Sequence, residues 1–324
     1  MKDEALVTRN LAEAVTEEEL RDVLRKENPS VYCGYETSGP VHIGHMVTAT
    51  KLLDMQAAGF KVKVLLADVH TLLNRKGSQD WIESMGAYWT ECFRGYGLGN
   101  AQFVRGSSFQ FNREYVSDVL SLALTVTMNR ALRSMQEVAR DIENARVSQV
   151  IYPLMQIADI KALGVDVAYG GLEQRKIHML AREVLPEIGC PKPVCLHTPL
   201  ICSLQGPDSK MSSSKPETII AVDEEPDSIR KKISSAWCPP EAANNPVLDA
   251  CRHIILPRLG EIPVKRPAKY GGDVKYTEYQ ALESDYLSKK LHPQDLKAAA
   301  ASALAEALEP VRMHLKETGT ILPK

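Results

Sequence analysis

The order of apolar and polar positions predicts alternating strands and helices over the first two thirds of the chain. Thr16 and Glu19 have the spacing of a capping box, which predicts a helix that continues through EEELRDVLRKEN. A strand is predicted over 31–36, a helix over about 45–58, and a strand buried on both faces over the nearly unbroken apolar run 62–69. This order predicts a parallel βαβ unit with a right-handed crossover.

Downstream segments repeat the alternation and then give way to helices. Further helices are predicted over 79–98, 113–144, 147–164 and 174–185, and further strands over 101–107 and 165–171. The pattern predicts the α/β fold class, with a Rossmann-like doubly wound parallel sheet. Helical patterns dominate beyond about residue 224, so we expect one domain over 1–223 and a smaller helical domain over 224–324.

Composition narrows the class of protein. The 324 residues are 44% hydrophobic and 25% charged with a net charge of −2, which excludes a wholly disordered chain and a polycation that coats nucleic acid. No apolar run is long enough for a membrane span, and the first residues lack a secretion signal. Seven cysteines without a C-x-x-C pair indicate reduced thiols in the cytoplasm. Cys190, Cys195, His197 and Cys202 fit no common zinc spacing, so we expect no metal site.

The segment Pro40-Val41-His42-Ile43-Gly44-His45 lies where the first predicted strand leads into a helix. Backbone N–H groups at a helix start attract phosphate, and Gly44 has no Cβ, so a flat ring can lie against the backbone. His42 and His45 can donate hydrogen bonds to phosphate oxygens as negative charge builds on them. The alternative is that both histidines only cap the helix. Their position directly after a strand favours a nucleotide site.

A second polar motif, Lys210-Met211-Ser212-Ser213-Ser214-Lys215, lies in a small, polar segment predicted as a surface loop over 205–216. Lysine is a mobile point charge suited to phosphate, and the hydroxyls add donors. Such a loop can close over a triphosphate. The alternative is an ordinary solvated loop.

Three polar side chains in the predicted helix 147–164 share one face. Tyr152, Gln156 and Asp159 stand at i, i+4 and i+7 among Ile, Leu and Met. Buried carboxylates need partners, and a pocket for a polar aromatic ligand would provide one. The alternative is a helix that lies half in solvent.

The two polar motifs together resemble the signatures of the class I aminoacyl-tRNA synthetases, with HIGH followed about 165 residues later by KMSSS. Other segments resemble the archaeal and eukaryotic tyrosyl-tRNA synthetases: VYCGYETSG, LLADVH, VIYPLMQIADI, GVDVAYGGLEQRKIHMLARE and LHPQDLK. The resemblance covers nearly the whole chain. It implies a catalytic domain over 1–223 with the signature loop at 205–216, and an anticodon-binding domain over 224–324.

The resemblance also implies roles for single residues in two-step tRNA charging. Tyr32 and Asp159 would hold the phenol hydroxyl of tyrosine, and Tyr152, Gln156 and Gln174 its ammonium group. The catalytic residues would be His42, His45, Lys210 and Ser213, and ATP would also contact Pro40, Gly44, Met211, Ser212 and Ser214. ATP enters as Mg-ATP, and no tightly bound cofactor is expected.

For the partner tRNA(Tyr), the resemblance implies Arg133 and Arg175 near the first base pair of the acceptor stem. Tyr270, His292 and Asp295 would lie at the anticodon. The helix over 113–144 resembles an insertion through which the family forms homodimers.

Three alternatives remain open: a tryptophanyl-tRNA synthetase, a small nucleotidylyltransferase that shares the H-x-G-H motif, and a non-catalytic RNA-binding paralogue. Tyr32 with Asp159 favours a phenol, because an indole offers only a donor. Tyr169 stands on a strand expected to border the pocket, where relatives have a smaller apolar residue. If its ring points inward, the pocket becomes smaller.

Overall fold

The computed structural model describes residues 2–136, 146–209, 211 and 215–324. The helices are α1 (Glu4–Thr8), α2 (Glu17–Leu24), α3 (Ile43–Ala57), α4 (Asp68–Leu73), α5 (Gln79–Phe93), α6 (Arg113–Thr125), α7 (Met128–Ser134), α8 (Val147–Leu163), α9 (Arg175–Val184), α10 (Pro226–Ser235), α11 (Pro246–Ala250), α12 (Leu256–Leu259), α13 (Tyr279–Leu287) and α14 (Pro293–Thr318). The strands are β1 (Glu13–Val15), β2 (Ser30–Tyr35), β3 (Lys61–Leu66), β4 (Gln102–Arg105), β5 (Val167–Gly171), β6 (Val194–Thr198), β7 (Ile262–Val264) and β8 (Val274–Tyr276). No helix in these ranges is long and apolar enough to cross a membrane.

Within the described ranges, six strands form the main sheet in the order β1-β6-β5-β2-β3-β4. All neighbours pair in parallel except β1, which runs antiparallel to β6 at one edge. From β2 the sheet grows through β3 and β4 on one side and through β5 and β6 on the other. The prediction of a doubly wound parallel sheet is therefore confirmed. Its topological switch point lies between β2 and β5, where such sheets leave a crevice at the carboxyl ends.

Two predicted elements end earlier than the apolar pattern indicated. The strand predicted over 62–69 stops at Leu66, and α4 starts at Asp68. The prediction of one helix over 113–144 is wrong, because α6 ends at Thr125 and α7 begins only at Met128. Val126 between them has extended dihedral angles, φ −93° and ψ 118°, which a β-branched residue adopts readily. Residues 137–144 of that prediction lie outside the described residues.

The part of the chain after residue 224 is mostly helical, as predicted, but also contains the antiparallel pair β7–β8. Its long helix α14 packs against α10 and against α5 of the sheet-bearing part. Gly95, which follows α5, allows the close approach, since a Cβ there would lie 3.0 Å from the Cα of Val311. Apolar residues of the sheet and of the C-terminal helices consequently form one continuous core.

Candidate active site

A cavity of about 310 Å³ opens at the switch point, between the ends of β2 and β5. Its lining comprises Tyr32, Gly34, Tyr35, Glu36, Ser38, His45, Leu65, Ala67, His70, Lys76, Trp89, Tyr152, Gln156, Asp159, Glu173 and Gln174. All five residues predicted to bind an amino acid are in this set. The structure thus brings together side chains from β2, α8 and the segment after β5, which lie far apart in sequence.

Asp159 and Tyr32 are fully buried in the cavity wall, and each has a polar atom without a partner. One carboxylate oxygen of Asp159, Oδ1, accepts hydrogen bonds from Tyr115 (2.8 Å) and Gln110 (2.7 Å). The other oxygen, Oδ2, and the Tyr32 hydroxyl have no hydrogen-bond partner among the described residues, and Nε2 of the buried His70 lies 3.8 Å from Oδ2. Burial raises the pKa of Asp159 and that of Tyr32. Buried unpaired polar atoms are costly, so this pair is arranged for a ligand that supplies both bonds.

Two more carboxyl groups, those of Glu36 and Glu173, line the same cavity. Glu36 accepts a hydrogen bond from the Tyr152 hydroxyl (2.7 Å) and forms an ion pair with Lys76. Gln156 donates to the side-chain oxygen of Gln174 (2.9 Å). The pKa of Glu173 is raised by burial, and its Oε2 has no hydrogen-bond partner among the described residues. These acceptors form a site suited to an ammonium group.

His42 and His45 cap α3 in a reciprocal pair. Nδ1 of His42 accepts from the Gly44 N–H (3.1 Å), and Nδ1 of His45 accepts from the N–H of His42 (3.1 Å). Burial lowers the pKa of His42 to about 4 and lowers that of His45 as well. Both rings are therefore neutral near pH 7 and carry their proton on Nε2, which remains available as a donor. Each histidine can therefore cap the helix through Nδ1 and donate to a phosphate through Nε2 at the same time.

The segment after the second motif is bound to the first motif by backbone hydrogen bonds. Ile43 N–H donates to the Ile220 carbonyl (3.0 Å), and Val222 N–H donates to the Val41 carbonyl (2.9 Å). Met211 touches the same place, since a Cβ on Gly44 would lie 3.1 Å from its sulfur. The predicted residues Lys210, Ser212, Ser213 and Ser214 lie outside the described residues.

Two aromatic residues have orientations that the sequence did not indicate. Trp89 packs against His45, with ring centroids 4.6 Å apart, and its N–H donates to the Gly39 carbonyl (2.8 Å), which fixes the turn that contains Pro40. Tyr169 is buried in the core cluster that contains Val31 and Cys33, and its hydroxyl lies 3.1 Å from Thr198 Oγ1. Since Tyr169 is not among the residues that line the cavity, its ring does not shrink this pocket.

Several residues that shape the cavity were not predicted from the sequence as site residues. Glu36 and Glu173 follow the carboxyl ends of β2 and β5, a position that by itself predicts ligand contact in a parallel sheet. Gln110 and Tyr115 approach Asp159 from a loop and from α6. No local pattern marks these last two residues, because their role depends on the packing of α6 against α8.

A cleft of about 470 Å³ beside α9 contains two residues predicted to contact tRNA, Arg133 and Arg175. Arg130 and Lys176 line the same cleft, so positive charge is concentrated there, although Arg130 also pairs with Glu183. Arg175 pairs with Glu13 of β1 at 2.6 Å. Phosphate groups are the natural ligands of such arginines.

The three residues predicted at the anticodon lie on the C-terminal part. Tyr270 is 62% exposed in a short turn, His292 is the N-cap of α14, and Asp295 lies in the first turn of that helix. Arg266 links the two regions. It donates to the Gly272 carbonyl (2.6 Å) in the Tyr270 turn and to the Lys290 carbonyl (2.8 Å) just before His292.

Comparisons with known proteins agree with one another. The family model described as tRNA synthetases class I (W and Y) matches residues 24–309. The tyrosine–tRNA ligase of Methanoculleus marisnigri is 52% identical over 94% of this chain and 96% of its own length, and that of Methanopyrus kandleri is 53% identical over 95% of each. The crystal structure of tyrosyl-tRNA synthetase from Archaeoglobus fulgidus complexed with L-tyrosine has a TM-score of 0.93 and 51% identity, covering 96% of this chain and 98% of that one.

Proposed function

The chain belongs to the class I tRNA synthetases of the tryptophan and tyrosine group, and we propose that it charges tRNA(Tyr) with tyrosine. It activates L-tyrosine with ATP: the carboxylate attacks the α-phosphate, tyrosyl-adenylate forms and pyrophosphate leaves. A hydroxyl of the 3′-terminal ribose of the tRNA then takes the tyrosyl group and AMP leaves. The observation that carries this proposal is the unpartnered pair in the cavity, the Tyr32 hydroxyl and Asp159 Oδ2.

A phenol satisfies both members of that pair. Its hydroxyl donates to Asp159 Oδ2 and accepts from the Tyr32 hydroxyl. Phenylalanine would leave both atoms buried and unpaired, which costs about 1–3 kcal/mol for each group. The indole of tryptophan has a donor but no acceptor, so the Tyr32 hydroxyl would still be unpaired. This difference favours tyrosine over the tryptophan alternative.

The ammonium group of tyrosine is held at the other part of the cavity. The Tyr152 hydroxyl and the side-chain oxygens of Gln156 and Gln174 supply acceptors there, and the Glu36 and Glu173 carboxyl groups add negative charge. Tyrosine bound in this direction extends from Asp159 toward the beginning of α3. Its carboxylate is then near His45, which also lines the cavity.

Adenylate formation depends on positioning and on charge stabilisation rather than on a covalent intermediate with the protein. His42 and His45 donate from Nε2 to the phosphate oxygens of ATP, and Gly44 leaves room for the nucleotide beside Met211. Pro40 lies in the turn that Trp89 fixes. Lys210 and Ser213, with Ser212 and Ser214, are expected to steady the pyrophosphate. Mg²⁺ enters as part of the nucleotide substrate.

The tRNA contacts both parts of the chain. Arg133 and Arg175 bind the acceptor end from their cleft, beside the residues that hold the amino acid. In the anticodon-binding domain, which we assign to 224–324, the exposed ring of Tyr270 stacks on a base. Asp295, with His292 nearby, accepts from a base amino group. The catalytic domain is assigned to 1–223. We expect the protein to charge its tRNA in the cytoplasm.

A homodimer forms through α6. Val116, Leu120 and Leu124 are exposed at i, i+4 and i+8 on this helix, with Leu124 90% exposed. Phe111, Met128 and Val147 extend the apolar surface beyond it. An apolar stripe of this size on an exposed helix is typical of a protein–protein interface. Leu124→Glu should convert the dimer to a monomer, which sedimentation at several protein concentrations measures.

The decisive experiment is ATP–pyrophosphate exchange by the purified protein with each of the twenty amino acids in turn. Tyrosine alone should support rapid exchange. Exchange with tryptophan instead would indicate the sister enzyme. Lack of exchange with every amino acid, together with retained binding of tRNA(Tyr), would indicate a non-catalytic RNA-binding protein.

A further inference from the structure

A chain of polar contacts outside the cavity joins the buried side of α9 to the basic cleft. His178 of α9 and His197 of β6 are buried, and Nδ1 of His178 lies 2.9 Å from Nε2 of His197. The other ring nitrogen of His197, Nδ1, lies 2.8 Å from Oε1 of Glu13. The same carboxylate oxygen pairs with Nε of Arg175 at 2.6 Å. The adenylate step described above uses none of the first three residues.

The backbone places these groups with little freedom. Glu13 and His197 are direct partners in the antiparallel pair of β1 with β6. His197 is in turn opposite Gly170 of β5, which carries no side chain. A Cβ on Gly170 would lie 2.9 Å from Gln174 and 3.7 Å from the ring of His178, so this glycine leaves room for both. Residues that face the cavity and residues of the polar chain therefore pack over the same point of the sheet.

The first turn of α9 consequently serves two ligands. Gln174, just before the helix, lines the amino-acid cavity, while Arg175 beside it lines the basic cleft. A lone exposed ion pair fixes a long arginine side chain only weakly, because solvent competes for both charges. Here the carboxylate also lies 2.8 Å from Nδ1 of the buried His197, and this close contact from behind limits the positions that the carboxylate, and with it the guanidinium, can take.

We propose that Glu13, supported by the buried pair His197 and His178, is a positioning residue that aligns Arg175 with the acceptor end of the tRNA. The inference rests on the proposed function, because it takes Arg175 as a tRNA contact. Glu13 acts through Arg175 and touches neither the amino acid nor ATP. Its loss should therefore affect the transfer step and leave amino-acid activation intact.

The test is a double-mutant cycle with Glu13→Gln, Arg175→Ala and the combined variant. For each, the KM for tRNA(Tyr) in charging is measured beside the kcat and KM of pyrophosphate exchange. Glu13→Gln should raise the tRNA KM about fivefold with exchange unchanged, and should add little when Arg175 is already alanine. Glu83→Gln is the matched control, because it breaks an exposed 2.6 Å pair with Arg105 near the opposite edge of the sheet.

The outcomes distinguish a failure of Arg175 as a tRNA contact from a failure of Glu13 as a positioning residue. If Arg175→Ala leaves the tRNA KM unchanged, the arginine is not a tRNA contact and that part of the proposed function fails. If Arg175→Ala raises the KM but Glu13→Gln lowers it, Glu13 restrains the arginine rather than aligning it, and the inference is overturned. Additive effects of the two substitutions, or a parallel loss in exchange, would assign Glu13 a general structural role and overturn it as well. Thermal unfolding of each variant identifies any loss of folded protein.

Discussion

Asp159 and Arg175 each direct a charge toward a proposed ligand, but their surroundings differ. Asp159 is fully buried, and two neighbouring side chains donate to one of its oxygens, while the other has no hydrogen-bond partner among the described residues. The Arg175 side chain is 47% exposed and is held by one carboxylate. In the buried site, a wrong ligand leaves polar atoms without water or protein partners. At the surface, water replaces any contact that is lost.

This contrast indicates where selection between substrates is strongest. A buried unpaired group costs about 1–3 kcal/mol, whereas an exposed ion pair contributes about 0–1 kcal/mol. We therefore expect amino-acid selection to depend on one or two buried atoms. Recognition of the tRNA should instead be spread over many weak contacts, including those of Arg133, Arg175, Tyr270 and Asp295.

The largest effect is expected at His45, which lines the cavity and is proposed to donate to the reacting phosphate. In His45→Asn, the shorter amide can still accept from the His42 N–H but has no donor at the position of Nε2. The kcat of pyrophosphate exchange should fall by about 100- to 1000-fold, as for other donors that stabilise developing charge. The longer amide in His45→Gln can place an N–H closer to the position of Nε2, so the kcat of this variant should fall less. Near-normal exchange in His45→Asn would mean that the imidazole serves only as a helix cap.

Removal of the buried Asp159 carboxylate should weaken binding of the amino acid and leave binding of ATP nearly unchanged. Asp159→Ala should raise the tyrosine KM in pyrophosphate exchange by about 100-fold, since a charged buried acceptor is lost. The KM for ATP should change less than about twofold, because Asp159 is proposed to bind the phenol of the amino acid and not the nucleotide. Asp118→Ala is the control, because it breaks a partly exposed ion pair with Lys161, which is on α8 like Asp159. An unchanged tyrosine KM would contradict the assigned role.

Tyr32→Phe tests whether the unpartnered hydroxyl is present for the ligand. The hydroxyl makes no hydrogen bond with the described residues. Its removal should therefore leave the free energy of unfolding unchanged or slightly increased, as measured by urea denaturation. The tyrosine KM should nevertheless rise about tenfold, the usual effect of losing one hydrogen bond to a ligand. Loss of stability together with unchanged KM would show that the hydroxyl has a structural partner instead.

The parallel sheet was predictable because its apolar runs and intervening helices follow in strict order. Of the five predicted amino-acid-binding residues, the three in α8 share a helical spacing, whereas Tyr32 and Gln174 were expected only from the resemblance to the family. The elements that were missed have weaker local signals. β1 has only three residues, Glu13–Val15, and is a strand because β6 lies beside it. β6 contains Cys195 and His197, two residue types that can bind zinc, and the polar ring of His197 hides the pattern of a buried strand.

Residues whose roles arise from tertiary packing could not be predicted from spacing. Gln110 and Tyr115 reach Asp159 only because α6 packs on α8, and no periodicity within 105–115 indicates it. The ring of Tyr169 could point to either side of the sheet until the register of β5 was known. In the structure, Ala168 belongs to the core on the Tyr32 side and Tyr169 to the core on the other.

At the surface, a single substitution should have a smaller effect. Asp295→Ala should raise the KM for tRNA(Tyr) about fivefold in charging, because water replaces one partly exposed contact. Pyrophosphate exchange should be unaffected. Glu306→Ala, on an exposed position of the same helix α14, is the matched control. Equal losses in charging and exchange would indicate that Asp295 supports the fold, and a hundredfold loss confined to charging would contradict the contrast drawn above.

The smallest effect on activity is expected from mild acid. Burial lowers the pKa of His42 to about 4, from an ordinary value of 6.5, and also lowers that of His45. Both rings should stay neutral well below pH 6, so kcat/KM for exchange should show no step near pH 6.5 from these groups. A step there that His42→Asn abolishes would show that the rings titrate normally.

The same lowered pKa makes stability depend on pH, with a definite sign. Between pH 6.5 and about pH 4 the unfolded chain takes up a proton at His42 that the folded chain does not, so the free energy of unfolding falls as the pH falls. The slope for one such histidine approaches about 1.4 kcal/mol per pH unit. Urea denaturation at pH 7.5, 6.0 and 5.0 should therefore show a shallower pH dependence for His42→Asn than for the unmodified protein. Parallel curves would mean that the His42 ring takes up a proton as readily in the folded chain as in the unfolded one, which would contradict its burial at the start of α3.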